Sequence, residues 1–298
     1  MATGTLDIRP VTPHIGAEVH GLDLSVPLGE DTVAEVRAAL VDRLVLFFPG
    51  QDHLTPDEHE AFASQFGEVT EAHPILPALD EDHPKVLPLD SRFNKAAFWH
   101  SDVTFMNTPP MGSILHAKVM PELGGDTLWV NLQAAYAALA EPLRDMCDRL
   151  TAIHWDPSFA AEIDAAGGCT WDGKHISKLR PVVHPVVRIH PENGRKGLFV
   201  NANFTHSIFG MSPIESDGLL QTLYRHCTQT PEFAMRHRWA AGDVAFWDNR
   251  ATLHYASDDY HELRVVHRVT LRGDRPFGPQ GTGTEALAKV GIPSLVAS

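Results

Sequence analysis

Cysteine is scarce in this 298-residue chain: Cys147, Cys169 and Cys227 are an odd number, and none pair as CxxC. A disulfide framework and a structural zinc site are therefore not expected, and a reducing cytoplasm fits. Long apolar runs are missing as well, with nothing near the ~18 residues that span a bilayer. The opening Met1-Ala2-Thr3-Gly4-Thr5-Leu6-Asp7 has neither the basic region nor the apolar core of a secretion signal. Positive charge is short: 24 Lys and Arg face 38 Asp and Glu, for a formal net charge of −14. That argues against nucleic acid or an anionic membrane as main partner, because both reward a basic surface. No glycine-rich phosphate loop follows a strand and no GxSxG elbow occurs. His261-Glu262 is followed by His267, two residues too late for an HExxH zinc helix. Repeats, low-complexity tracts and linkers are also lacking.

What remains is an ordinary globular composition punctuated by 22 Gly and 22 Pro. Short strands are expected at 5–9, 16–20 and 44–48, the last ended by Pro49-Gly50. Val33, Val36, Leu40 and Val41 stand at helical spacing over 31–43. Thr55-Pro56-Asp57-Glu58 and Ser212-Pro213-Ile214-Glu215 each supply a cap, a first-turn proline and a capping-box acid. The second helix should run to about 228. Residues 132–149, rich in Ala and Leu behind Asn131, read as the best helix of the chain. Residues 98–130, 182–201 and 236–273 read as short strands and turns. Residues 155–180, with Gly167-Gly168, read as a long irregular stretch of the kind that serves as a lid. The architecture this predicts is mainly β with flanking helices, in one domain over 1–298. An α/β sheet is the alternative, weakened by the irregular order of strands and helices.

Two distant segments carry the chemistry: Trp99-His100-Ser101-Asp102 and Trp247-Asp248-Asn249-Arg250-Ala251-Thr252-Leu253-His254. On an extended strand His100 and Asp102 would share a face. His254 can complete a set of two imidazoles and one carboxylate, the open-faced arrangement that non-heme Fe(II) oxygenases use. A hydrogen-bonded His–Asp pair explains the first segment equally simply. From Leu263 to Leu271, Arg264, Val266, Arg268 and Thr270 share one strand face, and Leu263, Val265, His267, Val269 and Leu271 the other. The second face reads as core. The first holds two arginines suited to gripping anions, or simply solvated at the surface. Gly124-Gly125-Asp126-Thr127 reads as a turn into a strand, with a hydroxyl at Thr127. His184 and His190, each before a proline, read as strand-end residues.

Taken in order, these segments resemble the TauD/TfdA family of Fe(II)- and 2-oxoglutarate-dependent dioxygenases, in particular its taurine dioxygenase and alkylsulfatase branch. The resemblance runs from about Ile8-Arg9-Pro10 to Arg275-Pro276-Phe277. It includes Phe48-Pro49-Gly50-Gln51, His184-Pro185-Val186-Val187-Arg188 and His267-Arg268-Val269-Thr270. It implies a double-stranded β-helix, a cupin-like jelly roll with helices outside. It implies Fe(II) held by His100, Asp102 and His254, with O2 and 2-oxoglutarate as cosubstrates. Arg264 and Thr127 would hold the distal carboxylate of 2-oxoglutarate. Arg268 and His73 would hold the anionic group of a small organosulfur substrate, between aromatic walls at Phe159 and Phe204. A homo-oligomer, dimer or tetramer, is implied too.

The chain departs from the taurine enzymes at two places. Leu76 stands where they carry a tyrosine, and Lys95-Ala96-Ala97-Phe98 where they carry an asparagine. Trading polar groups for Leu and Ala favours an apolar tail, such as that of an alkylsulfonate or alkyl sulfate. Three rival readings are a carboxylate substrate such as an aryloxyalkanoate, a non-catalytic cupin-like binding protein, and a zinc hydrolase.

Overall fold

The computed structural model describes residues 6–93, 96–171, 173–281 and 285–286; Lys95 lies outside them. The β-rich expectation holds. A seven-stranded sheet runs in the order Asp7–Pro10, Ala17–His20, Val45–Phe48, Val244–Asp248, Gly112–Val119, Val265–Leu271 and Leu87–Asp90. All its pairs are antiparallel except that between Ala17–His20 and Val45–Phe48. A three-stranded sheet of Ala234–His237, Thr127–Asn131 and Thr252–Ala256 packs on its inner face. A second smaller sheet joins Thr205–Ile208, Thr151–His154, Val182–Pro185 and Glu285–Ala286. The arrangement is the expected jelly roll.

Strand alternation explains the layers. Val45, Phe47, Ala245 and Trp247 point inward against Trp129, Met235 and Trp239. Leu46, Phe48, Val244 and Phe246 point outward under Val36, Leu40 and Phe62. Those last three lie on the helices Glu30–Arg43 and Pro56–Ser64. On the far side, the helix Pro213–Thr228 covers Val130 and Leu253 with Leu220 and Leu223. Both predicted capping boxes form. Thr55 Oγ1 accepts Glu58 N–H at 3.3 Å while Glu58 accepts Thr55 N–H at 2.8 Å. Ser212 and Glu215 reciprocate likewise. Among the described residues no helix is long and apolar enough to cross a membrane.

Three expectations need correction. Residues 132–149 form two short helices, Leu132–Ala138 and Glu141–Cys147. Pro142 has no N–H to give Ala138 and its ring would clash with that carbonyl, so the first helix stops. Residues 101–105 do not continue as a strand. His100 makes a single bridge to His254, and the chain then turns at Val103, whose φ is +55°. The described residues of the 155–180 stretch are not irregular throughout. They hold the helix Pro157–Ala165, capped by Asp156, and a hairpin of Cys169–Trp171 with Lys174–Ile176.

Candidate active site

The bridge between His100 and His254 brings the two distant segments together. Their backbones exchange N–H···O bonds of 3.0 and 2.7 Å, and their rings lie 4.0 Å apart. The turn that follows, rather than strand alternation, swings Asp102 back beside them. His100 Nε2 and His254 Nε2 stand 3.6 and 3.8 Å from Asp102 Oδ1. One ligand atom from each residue falls within 4.8 Å of the others, and all three residues are buried. His100 donates Nδ1–H to the carbonyl of Phe98 at 2.9 Å, which leaves the Nε2 lone pair free on the side facing Asp102. Burial, helped by His100, pushes the His254 pKa down to about 3. Burial opposes the charge on Asp102, but Arg268 and both histidines outweigh it and hold the carboxyl well below its usual range. Two imidazoles, that of His254 kept neutral by burial, and one carboxylate, converging and buried, suit a divalent first-row metal such as Fe(II).

Three residues that the sequence reading did not assign hold this centre in place, and a fourth walls the space beside it. Asn249 Oδ1 accepts Asp102 N–H at 2.7 Å, and its amide donates to the carbonyls of Asp102 at 3.0 Å and Pro110 at 3.3 Å. Ser113 Oγ donates to Asp102 Oδ2 at 3.1 Å. His184, read as a strand-end residue, donates Nε2–H to the carbonyls of Thr104 and Met106 and so braces the same turn. Phe105, in the stretch read as short strands and turns, lies in the pocket wall 5.3 Å from Phe159 and 5.0 Å from Phe204. A signal was present for Asn249, inside the Trp247–His254 segment, and for Ser113, the one hydroxyl in the strand Gly112–Val119. Asn249→Ala should lower Mn(II) or Fe(II) affinity roughly 10–100-fold, as losses of groups that orient metal ligands do. Metal titration of the stripped protein checks this; an affinity within twofold of the parent would show that the clasp does not matter.

The arginines are not on the surface. Arg264 and Arg268 are each 7% exposed, and the strand that carries Arg268 is covered on both sides from Val269 to Leu271. Arg264 donates Nε–H to the carbonyl of Gly125 at 3.0 Å and lies 3.4 Å from Thr127 Oγ1. Gly125 has φ +67°, and a Cβ there would meet Arg264 Cδ at 3.1 Å, so this approach needs glycine. Arg268 donates Nη1–H to Asp102 Oδ1 at 2.9 Å. His73 Nδ1 accepts the N–H groups of Ile75 and Leu76, both at 3.1 Å. Burial first, and Arg268 second, push the His73 pKa down to about 3. The neutral ring therefore carries its proton on Nε2 and has a donor to offer an anion.

All nine residues singled out from the sequence line one cavity of about 410 Å³: His73, His100, Asp102, Thr127, Phe159, Phe204, His254, Arg264 and Arg268. Leu76, Ala96, Val103 and Phe105 line it too. Leu76 and Ala96, where the resemblance implied lost polar groups, thus face the same space as His100, Asp102 and His254.

Comparison with known proteins agrees with this geometry. The family described as "Taurine catabolism dioxygenase TauD, TfdA family" matches residues 7–270. An α-ketoglutarate-dependent sulfate ester dioxygenase of Pseudomonas putida is 44% identical over 93% of this chain and 92% of its own length. An alkylsulfatase of Acinetobacter baylyi is 39% identical over 94% of this chain and 89% of its own. The crystal structure of a taurine dioxygenase from Burkholderia xenovorans superposes with a TM-score of 0.83. It is 41% identical and covers 98% of this chain and 97% of that one. With fold, triad and paired arginines in place, the chain belongs to the TauD/TfdA family of dioxygenases.

Proposed function

We propose that this protein is an Fe(II)- and 2-oxoglutarate-dependent dioxygenase that hydroxylates the carbon beside a sulfate or sulfonate group, with an alkyl sulfate ester or long alkylsulfonate preferred over taurine. One observation carries the reading. A buried cationic grip, Arg268, stands beside the triad, and the wall around it is Leu76, Val103, Phe105, Phe159 and Phe204. The descriptions of the Pseudomonas and Acinetobacter relatives point the same way. Three free cysteines fit the cytoplasm as its place of work.

His100, Asp102 and His254 would hold the metal. Bound Fe(II), with O2 and 2-oxoglutarate, supplies the oxidising power: 2-oxoglutarate becomes succinate and CO2, and one oxygen atom enters a C–H bond of the substrate. Arg264 and Thr127 hold the far carboxylate of 2-oxoglutarate, Arg264 through a planar fork that matches it. Arg268 and His73 Nε2–H hold the sulfate or sulfonate, which places its neighbouring carbon over the triad. The aromatic wall covers the hydrocarbon tail and excludes water. A hydroxyl on the carbon that bears a sulfate makes a hemiacetal ester. It collapses to an aldehyde and hydrogen sulfate with no further oxidant; the sulfonate analogue gives an aldehyde and sulfite.

Succinate release from 2-oxoglutarate tests this, comparing hexyl sulfate, hexanesulfonate and taurine, with His100→Ala as control. Each buried methylene contributes about 0.8 kcal/mol, so the four extra carbons of the six-carbon substrates, about 3 kcal/mol, should favour them over taurine on the order of 100-fold in kcat/KM. Taurine winning would refute the apolar-tail reading. Coupling with an aryloxyacetate but none of the three would move the assignment to carboxylates.

A further inference from the structure

One hydroxyl in the cavity has its direction dictated by its neighbours. Thr127 Oγ1 accepts the indole N–H of Trp239 at 2.9 Å and lies 3.4 Å from Arg264 Nη2, a second donor. A hydroxyl has one proton and two acceptor lone pairs, whereas indole nitrogen and guanidinium only donate. Both lone pairs of Thr127 are thereby engaged, and its proton has no acceptor in either neighbour. Among the described residues no group is recorded as accepting it. Thr127 is 4% exposed and lines the cavity, so a buried donor is left facing that space.

We propose that Trp239 is a positioning residue for the cosubstrate. By filling one lone pair of Thr127 it makes that hydroxyl an obligatory donor, aimed at the anion that Arg264 binds. The inference rests on the cosubstrate reading above and adds a residue to it. Trp239 acts through its N–H edge, which sets Thr127. The Arg264 guanidinium carbon, 6.0 Å from the centre of its ring, is too far to add more than packing. Trp239 is itself fixed, 6% exposed and packed against Trp129 and His237. Two donors with no acceptor between them select a group that only accepts. A carboxylate satisfies both, whereas an amide or hydroxyl brings a proton that finds no partner. Trp239 does not touch the cosubstrate; it acts through Thr127.

The test is a double-mutant cycle read by binding. Co(II)-loaded protein is titrated calorimetrically with 2-oxoglutarate and with pyruvate, which has the keto acid but no distal carboxylate. Trp239→Phe should weaken 2-oxoglutarate about 5–10-fold, and Thr127→Val about tenfold, the range for one hydrogen bond to a charged group. Pyruvate should stay within about twofold in both, since neither touches that end. The double variant should bind no worse than Thr127→Val alone. Trp239→Met fills the space without a donor and reads the same effect if the Phe variant folds poorly. Equal losses for pyruvate, or a Trp239 effect that persists in the Thr127→Val background, would reduce Trp239 to core packing. A parent protein that binds pyruvate as well as 2-oxoglutarate would overturn the cosubstrate reading and this inference together. A parent that prefers 2-oxoglutarate but is indifferent to Trp239→Phe would overturn this inference alone.

Discussion

Asp102→Ala should reduce turnover on the order of 10³-fold, since even outer groups around metal ligands cost 10–100-fold, and should separately destabilise the metal-free protein. The two effects have different causes. Asp102 Oδ1 faces both imidazoles and is also the oxygen that Arg268 holds at 2.9 Å. Both partners of that ion pair are buried, with side chains 8% and 6% exposed. Removing one partner of a buried pair costs about 3–5 kcal/mol, because the other charge is left uncompensated. The cavity beside Arg268 gives water some access, so the lower end, about 3 kcal/mol, is expected. Arg268→Met in the same chain removes the stranded charge. The double variant should therefore regain most of the stability and none of the turnover. Urea unfolding of metal-stripped protein, beside succinate release, separates the two. If the double variant is as unstable as Asp102→Ala, the pair does not stabilise the empty site and the ligand set alone matters.

A steep loss of stability between pH 7.5 and 5.5 is the second large effect. His59 and His184 are buried away from His100 and His254, and burial pushes each pKa down to about 3. Burial also holds His154 well below its ordinary value, and there the Thr104 hydroxyl serves Nδ1 at 3.0 Å. All three rings are neutral in the folded protein. In the unfolded chain they titrate near 6.5. Between those values the unfolded state binds more protons, so stability is complete above about pH 6.5 and falls as pH falls. At pH 5.5 each ring costs about 1.4 kcal/mol, and the three together about 4 kcal/mol. The lowered carboxylates Asp102 and Asp248 do not offset this, since their stabilisation is lost only below the carboxylate range. His83, raised by Asp80, works in the opposite direction but lies on the surface. Denaturation midpoints at the two pH values measure the slope, and His59→Leu should flatten it by one ring's share. An unchanged midpoint would mean that these histidines accept protons in place.

The helices were legible because their signals are local. Thr55 and Glu58, or Ser212 and Glu215, need only each other to start a helix. The alternation at 264–271 likewise put Arg264 and Arg268 on one face correctly. Burial of that face was not legible, because it depends on a second sheet contributed by residues 127–131 and 252–256. The HxD segment shows the limit best. His100 and Asp102 were named as ligands, but the geometry that joins them is a turn at Val103, a β-branched residue at positive φ. Such a conformation costs of order 1–3 kcal/mol and persists only when surroundings impose it. Here Asn249 and His184 impose it from 147 and 80 residues away. No local pattern carries that information. The break at Pro142 was local and legible in principle; high Ala and Leu content outweighed it.

The tie between Asn249 and Asp102 also bears on how the chain folds. It closes a segment of nearly half the protein, and the entropy of that closure is lost before any compensating contact forms. The site is thus assembled late, after both sheets have docked, and contacts of such long range make for slow folding. In the early chain a metal ion meets only the local pair His100 and Asp102, without His254, so it is a poor nucleus. Its effect should fall on the escape from the native state: metal slows unfolding and leaves the refolding rate almost unchanged.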